Sequence, residues 1–287
     1  LRNTKNKNYL SEQFSITILP SSSDLNNEKN EKNKITNLSK PVIIGNPDFN
    51  LFYKKIDQKT SKEHIERNRL RSKSLLSKKW VKNSGFEIEA NNIHALIGGK
   101  LVTKEKATSE FVKKLISPKI LHIASHGFYN QYDEDDENPL KRSGIVLAGA
   151  NNPSENSTDD GYLTALEFIN MNLNGTELVV ISACESGIGD LRFNEGINGL
   201  RRAISVSGAK SSLLSLWKVD DDATTEFMID FYKNLKKGMY KNKALSSTQK
   251  KFRDGIIKSK FGDDWTNIFY WGAFQISGDM SPIQFEN

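Results

Sequence analysis

The sequence contains a single cysteine, Cys184, among 287 residues. One cysteine excludes an intramolecular disulfide and any zinc site built on several thiolates. The sequence also lacks an apolar run of about 18 residues, the length that a membrane-spanning helix needs, and an N-terminal signal peptide. We therefore expect that no segment spans or enters a membrane, and that the chain works in a reducing compartment, the cytoplasm.

A strong imbalance of charge is absent as well. The 41 Lys and Arg residues and the 35 Asp and Glu residues give a formal net charge of +6. The lysines mostly stand beside Asn, Ser or Glu and form no single block, which favours a solvated surface over a nucleic-acid groove. A nucleic-acid-binding module that uses the lysines of 54–82 is kept as an alternative, and it predicts salt-sensitive binding.

The length of 287 residues is enough for one large α/β domain or two small ones with a substantial core. The sequence has no internal repeat. Because the chain starts at Leu1 instead of Met, we expect a piece of a longer protein.

Short apolar runs alternate with amphipathic segments from residue 41 onward. The apolar runs predict buried strands, at 41–45, 101–102, 120–126, 144–148, 178–182, 210–216 and 269–276. Apolar residues at helical spacing predict helices, at 86–97, 108–115, 163–171, 195–206 and 243–258, with a further one after Asp222. This alternation predicts an α/β fold with a mostly parallel, doubly wound sheet and helices on both faces.

Polar segments set the expected domain boundaries. Residues 14–19 predict a strand ended by Pro20, and 21–40 predict a mobile polar loop. We therefore expect an N-terminal strand and loop at 1–40 and one domain at 41–287, interrupted by a basic surface insertion at about 53–84. An acidic run at 133–137 is expected to be a solvated loop, with a substrate lid or a cleavage site as the alternatives.

Two of the predicted strands end in residues whose side chains suit catalysis. The run Ile-Leu-His-Ile-Ala-Ser-His-Gly at 120–127 ends in His126 followed by Gly127. The run Leu-Val-Val-Ile-Ser-Ala-Cys at 178–184 leads to Cys184 on a turn that Gly187 and Gly189 can close. Because the carboxyl ends of adjacent parallel strands meet in one crevice, we expect His126 and Cys184 to lie close together.

A cysteine beside a histidine is an arrangement for nucleophilic catalysis. A free thiol has a pKa near ~8.5, and an imidazole that takes its proton leaves a reactive thiolate. The backbone amides of Gly127 and Cys184 are the expected oxyanion donors. In the alternative interpretation, Cys184 is a small buried apolar residue, which is the common role of a lone cysteine.

The remaining histidines and one acidic cluster receive other interpretations. His122 lies on the same predicted strand face as His126 but deeper in the sheet, so we expect a core histidine. His64 and His94 show no metal-ligand spacing and receive no role. The acidic residues Asp220, Asp221 and Asp222 suit the N-terminus of a helix, and one of them could instead face the crevice and bind a basic substrate side chain.

These motifs resemble those of CHAT domains, caspase-like proteases often found after tetratricopeptide repeats. Leu-His-Ile-Ala-Ser-His-Gly-Phe at 121–128 resembles the family's His-Gly block, and Ile-Ser-Ala-Cys-Glu-Ser-Gly at 181–187 resembles its Ser-Ala-Cys-Glu-Thr-Gly block. Further blocks that match in order lie at 45–49, 144–150, 163–167, 215–221 and 270–274. The departures are mild: Ser125 and Ser186 stand where threonine is common, and Asn267-Ile268 replaces a frequent His-Pro.

The resemblance implies a caspase-hemoglobinase-like three-layer sandwich and a catalytic dyad of His126 and Cys184. It implies a cysteine endopeptidase that cleaves a specific protein substrate in regulation or defence, without a cofactor or metal. It also implies an upstream repeat or sensor region, or a regulatory partner. In the wider group an acidic residue often sets the preference for the residue before the cut, and here the neighbourhood of Asp220 is the candidate. The alternative function is a catalytically silent scaffold with this fold that binds a protein partner.

Overall fold

The computed structural model describes residues 18–19, 38–52, 78–129, 138–153, 159–183, 193–217 and 220–285. Several sequence predictions fall outside these residues and stay predictions. They concern Cys184 with the glycines of its turn, His64, most of the basic insertion, most of the N-terminal segment and the acidic run at 133–137. The division into a segment at 1–40 and a domain at 41–287 also stays a prediction.

A central sheet of six strands organises the described part of the chain. The order across the sheet is β2, β1, β3, β7, β8, β9. These strands span β1 Val42–Pro47, β2 Lys100–Lys104, β3 Ile120–Ala124, β7 Leu178–Ser182, β8 Ser211–Ser215 and β9 Phe274–Gly278. Every neighbouring pair is parallel except β8 with β9, and Ile18 adds a single parallel bridge to Ser277 in β9. The predicted mostly parallel sheet is confirmed.

Helices cover both faces of this sheet. They span α1 Ser84–Ile97, α2 Ser109–Lys113, α3 Ala165–Ile169, α4 Phe193–Val206, α5 Asp221–Lys236, α6 Lys241–Arg253 and α7 Ile268–Trp271. One apolar cluster joins α1, α5 and α6 to the sheet through residues such as Ile43, Val180 and Phe227. A second cluster joins α2, α3 and α4 to the other face through neighbours such as Ile44 and Val179. Because successive strand residues point to opposite faces, nearly continuous apolar strands supply both clusters.

Polar side chains at the helix starts explain where several helices begin. Thr164 and Glu167 form a capping box at α3, in which each side chain satisfies the backbone amide of the other residue. Asn83 caps α1, Thr108 caps α2 and Asp220 caps α5. These caps confirm the helices that the sequence predicts after Thr108, Thr164 and Asp220.

A second, smaller sheet begins shortly after the end of β3. It contains the antiparallel strands β4 Gly127–Tyr129, β5 Ser143–Val146 and β6 Tyr162–Thr164, and a short 3-10 turn, Pro139–Lys141, precedes β5. The strand predicted at 144–148 therefore exists, but it pairs in this antiparallel sheet and not in the central one.

The strand predicted at 269–276 is wrong in its first half. Residues 268–271 form the helical turn α7, because the Asn267 side chain accepts a hydrogen bond from the Phe269 amide and caps the turn. The strand β9 starts only at Phe274. Among all the helices within the described ranges, none is long and apolar enough to cross a membrane.

Candidate active site

The candidate site lies where β3 and β7 end. These strands are parallel neighbours, and their register pairs Ala124 with Ser182. Beyond the last pair, the Ser125 amide donates to the Ser182 carbonyl at 3.3 Å. A Cβ atom added to Gly127 would lie 3.4 Å from the Ala183 carbonyl oxygen, so these two backbone segments lie within one side-chain atom of each other. Gly127 follows His126 and Ala183 precedes Cys184, so the strand ends that lead to these two residues lie side by side, while the closeness of His126 and Cys184 stays a prediction.

The hydroxyl of Ser215 fixes Ala183 from the other side. It lies at the end of β8 and donates a hydrogen bond to the Ala183 carbonyl at 3.1 Å. The residue before Cys184 is therefore held between Gly127 and the neighbouring strand. Cys184 itself lies outside the described residues.

The imidazole of His126 is half-buried in a box of three aromatic rings. Its ring centroid lies 5.0 Å from that of Phe86, 5.3 Å from Phe49 and 5.4 Å from Trp80. Phe86 meets the imidazole edge-on, and the other two rings are tilted against it. Such packing restricts the rotation of the imidazole, which stays partly exposed.

A backbone carbonyl determines which nitrogen of His126 carries the proton. The Nε2 atom lies 2.8 Å from the carbonyl oxygen of Val81. A carbonyl only accepts, so in this hydrogen bond Nε2 is the donor. In the neutral ring Nδ1 is then the basic nitrogen, which is the state a general base requires.

The segment that supplies this carbonyl is itself anchored to the fold by Asn151. The Trp80 amide donates to Asn151 Oδ1 at 2.8 Å, and Asn151 Nδ2 donates back to the Trp80 carbonyl at 2.8 Å. The indole of Trp80 also donates to the Tyr162 hydroxyl at 3.0 Å. Asn151 thus binds both backbone groups of the residue before Val81, as a neighbouring strand would.

Helix α1 packs closely against strand β1 beneath the site. A Cβ atom added to Gly45 would lie 2.4 Å from Ala90 Cβ and 2.6 Å from the Phe86 carbonyl oxygen, so only glycine fits there. The Asn46 side chain also donates to Glu87 at 2.8 Å. These contacts fix the helix that carries Phe86 against β1.

The predicted acidic cluster lies on the same side of the sheet, at the start of α5. Asp220 accepts a hydrogen bond from the Ala223 amide at 3.0 Å, and Asp221 accepts one from Asn83 Nδ2 at 2.7 Å. Asp220 and Asp222 are exposed, while Asp221 is half-buried. Since Asn83 is two residues after Val81, Asp221 is tied to the segment that contacts His126. Asp220 caps the helix α5, and Asp221 and Asp222 lie in its first turn.

His122 has the predicted core position and lies beneath the site. It is fully buried, with Nδ1 3.1 Å from the Tyr232 hydroxyl and Nε2 3.1 Å from Glu89 Oε1. The two atoms lie within ion-pair distance but do not form an aligned hydrogen bond, and neither atom has a hydrogen bond within the described ranges. The other oxygen of Glu89, Oε2, accepts a hydrogen bond from Ser182 Oγ at 3.0 Å.

Sequence reasoning missed Val81, Asn151, Glu89 and Ser182. Only Glu89 carried a usable signal, because it is a charged residue on the apolar face of a helix, three positions after Phe86 and four before Ile93. Charged residues at such positions are rarely buried without a partner. The other three residues are unremarkable in the sequence.

Among solved structures, the chain is similar to the Arg specific cysteine proteinase gingipain R, with 8% identity and a TM-score of 0.42 over 86% of this chain and 47% of that chain. It is also similar to the complex of the Porphyromonas gingivalis RgpB pro- and mature domains, with 10% identity and a TM-score of 0.41 over 86% and 48%. The chain thus spans about half the length of those two chains. No curated protein matches the sequence. The CHAT domain family model matches residues 1–279, and this chain therefore belongs to the CHAT domain family.

Proposed function

We propose that this chain is a cysteine endopeptidase in which Cys184 is the nucleophile and His126 its general base. The observation that carries the proposal is the close approach of Gly127 to Ala183 at the ends of two paired strands. It brings the residue after His126 against the residue before Cys184. The hydrogen bond from Nε2 to Val81 supports it further, because it leaves Nδ1 as the nitrogen that can take a proton.

The first half of the reaction forms an acyl-enzyme. The proton of the Cys184 thiol moves to His126 Nδ1, and the resulting thiolate attacks the carbonyl carbon of the scissile peptide bond. The amides of Gly127 and Cys184 donate to the oxyanion of the tetrahedral intermediate. The imidazolium then gives its proton to the leaving amine, the C–N bond breaks, and the new amino terminus departs.

The second half returns the enzyme to its starting state. His126 takes a proton from water, and the hydroxide attacks the thioester carbonyl. The tetrahedral intermediate collapses with release of the carboxylic acid product, and His126 returns a proton to the Cys184 thiolate. The reaction consumes one water for each peptide bond cleaved, and the side chains of this chain supply every proton transfer.

The proposed substrate is a specific protein, and an acidic side chain of the cluster Asp220, Asp221 and Asp222 binds a basic residue of it. Asp221 is the best supported of the three, because it contacts Asn83 near the segment that holds His126. The expected result is that Asp221→Asn lowers cleavage after Lys or Arg in a peptide library more than Asp222→Asn does. Equal cleavage profiles for both variants and the wild type contradict this assignment.

The dyad is tested by the rate at which iodoacetamide alkylates Cys184 as the pH is varied. Intact mass reads the product without ambiguity because the chain has one cysteine. We expect the wild type to react well below pH ~8.5, the ordinary thiol pKa, and His126→Ala to lose this low-pH reaction. Cys184→Ala is the blank.

Slow and identical alkylation of both proteins contradicts the dyad and favours the silent scaffold. The scaffold interpretation also predicts that Cys184→Ala leaves the biological output unchanged. If the dyad is confirmed, we further expect the protein to work in a reducing compartment such as the cytoplasm, because its lone thiol must stay reduced.

A further inference from the structure

A chain of buried polar groups runs beneath the candidate site, from α5 through β3 and α1 to β7. Its members are Tyr232, His122, Glu89 and Ser182, each less than 5% exposed. Glu89 is the central member, because one carboxylate oxygen meets His122 and the other meets Ser182. Buried polar groups are costly unless they are paired, so their presence in an apolar layer calls for an explanation.

We propose that Glu89 is a positioning residue that fixes the two strand ends on which His126 and Cys184 lie. His122 is four residues before His126 on β3, and Ser182 is two residues before Cys184 on β7. The inference rests on the proposed dyad, and it adds a residue to it that touches neither the substrate nor the reacting atoms.

The carboxylate of Glu89 suits a position between two strands. It offers two acceptor oxygens, one to a group from each strand. An amide offers one acceptor oxygen and one donor nitrogen, so it would reach both groups only with the hydrogen-bond direction reversed at Ser182 or at His122. The side chain of Glu89 contacts both strands without such a reversal.

The helix that carries Glu89 also contacts the imidazole of His126. Phe86 lies one turn before Glu89 on α1, and its ring packs edge-on against His126. Helix α1 therefore contacts the imidazole of His126 through Phe86, and it contacts strand β7, which leads to Cys184, through Glu89. A displacement of about 1 Å between reacting groups can lower a rate by about 10²-fold, so this control of position matters for catalysis.

The test compares two buried strand serines with different hydrogen-bond partners, Glu89 for Ser182 and Ser277 for Ser212. Ser182→Ala removes the hydroxyl that donates to Glu89. Ser212→Ala is the matched control, because Ser212 is also a buried strand serine with a hydroxyl partner, Ser277 at 3.0 Å, but lies on β8 away from Glu89. Ser182→Thr keeps the hydroxyl and serves as the conservative rescue. All four proteins are alkylated with iodoacetamide from pH 5 to pH 9, and their thermal unfolding is recorded.

We expect Ser182→Ala to alkylate at least about tenfold more slowly than the wild type at pH 6, with its pH profile moved toward that of an ordinary thiol. Ser212→Ala should keep the wild-type profile with a similar change in thermal midpoint, and Ser182→Thr should restore most of the rate. Glu89→Leu removes both contacts and should show at least the same shift, and adding Ser182→Ala to it should slow the reaction no further, since the Ser182 contact is already gone.

Each result bears on the proposal in a defined way. If Ser182→Ala and Ser212→Ala have the same profile as a reactive wild type, Glu89 is only a structural residue and the inference is overturned while the dyad stands. If the wild type itself has no reaction below the ordinary thiol range, the dyad fails first, and the positioning role fails with it. Additive effects of Glu89→Leu and Ser182→Ala also overturn the inference.

Discussion

Two histidines on the same stretch of chain, His122 and His126, have opposite surroundings. His122 lies inside β3, fully buried between a carboxylate and a phenol. His126 lies past the end of the strand, half-buried among aromatic rings, and its hydrogen bond goes to a backbone carbonyl. Four positions therefore separate a histidine buried in the core from the partly exposed one that we propose as the general base.

The difference shows how the fold divides its polar groups between two tasks. Around His122 every group faces another fixed group, so a change there is expected to alter stability first and to affect the dyad only through the strand ends. Around His126 the aromatic rings and the Val81 carbonyl orient a partly exposed imidazole, so a change there is expected to alter chemistry. The same substitution at both positions can test this division.

The largest effect is expected from His126→Leu. Leucine fills the aromatic box but cannot accept a proton, so cleavage of an unfolded protein substrate should fall by about 10²–10⁴-fold. The free energy of unfolding should change by less than about 1 kcal/mol, because the side chain is half-exposed and water can replace the donor to Val81. Cleavage rates with denaturant unfolding of the same preparation measure both quantities, and a large loss of stability with full activity contradicts the division.

The same substitution at His122 should cost much more stability than it does at His126. His122→Leu leaves the Glu89 carboxylate buried with only Ser182 beside it, which is expected to cost about 3–5 kcal/mol in the free energy of unfolding. Urea unfolding followed by circular dichroism measures the change. In the double variant His122→Leu with Glu89→Leu no charge remains buried, so at least half of the lost stability should return. A loss below about 1 kcal/mol for the single variant contradicts a buried charge pair.

A third substitution tests whether the Val81 carbonyl needs its anchor. Asn151→Ala removes the side chain that binds both backbone groups of Trp80 and also donates to Asn50 at 2.9 Å. We expect a loss of about 2 kcal/mol, because buried backbone groups lose their partners, and a lower rate of Cys184 alkylation at pH 6. Asn152→Ala is the control, since Asn152 donates one exposed hydrogen bond to the Asn50 carbonyl. Equal alkylation by both variants contradicts a role of Asn151 in holding His126.

The contrast between the two histidines also marks what the sequence could predict. The alternation of apolar runs and amphipathic segments is a local signal, and it was sufficient for the mostly parallel sheet, for the helix starts at Thr108 and Thr164, and for the core position of His122. It also predicted the position of His126 at a strand end, because an apolar run followed by His-Gly is visible within ten residues.

The partners of both histidines could not be predicted, because they come from distant parts of the chain. Val81 is 45 positions from His126, Asn151 is 71 from Trp80, and Glu89 is 93 from Ser182. No pattern in a single sequence encodes such pairs. The error at α7 had a local cause instead: Ile268 and the aromatic residues at 269–271 favour a strand, but the cap by Asn267 starts a helical turn there.

The smallest effect is expected from Tyr232→Phe and depends on pH. Burial, together with the negative charge of Glu89, raises the pKa of Tyr232 well above its ordinary value of 10.0. A group whose pKa is higher in the folded chain binds more protons when folded, so its contribution to stability is lost as the pH rises past the unfolded value. Wild-type stability should therefore fall above pH 10 by up to about 1.4 kcal/mol per pH unit from this residue.

Phenylalanine cannot ionise, so Tyr232→Phe should lack this part of the alkaline loss. Near pH 7 the variant should be less stable by about 0.5–1.5 kcal/mol, because the hydroxyl contact with His122 is gone. The two curves of unfolding free energy against pH should therefore converge between pH 10 and 11. Parallel curves would mean that Tyr232 ionises as readily in the folded chain as in the unfolded one, which is incompatible with a sealed polar chain around His122. The same measurement on a substitution at His126 should give parallel curves in this range, because no phenol lies in its aromatic box.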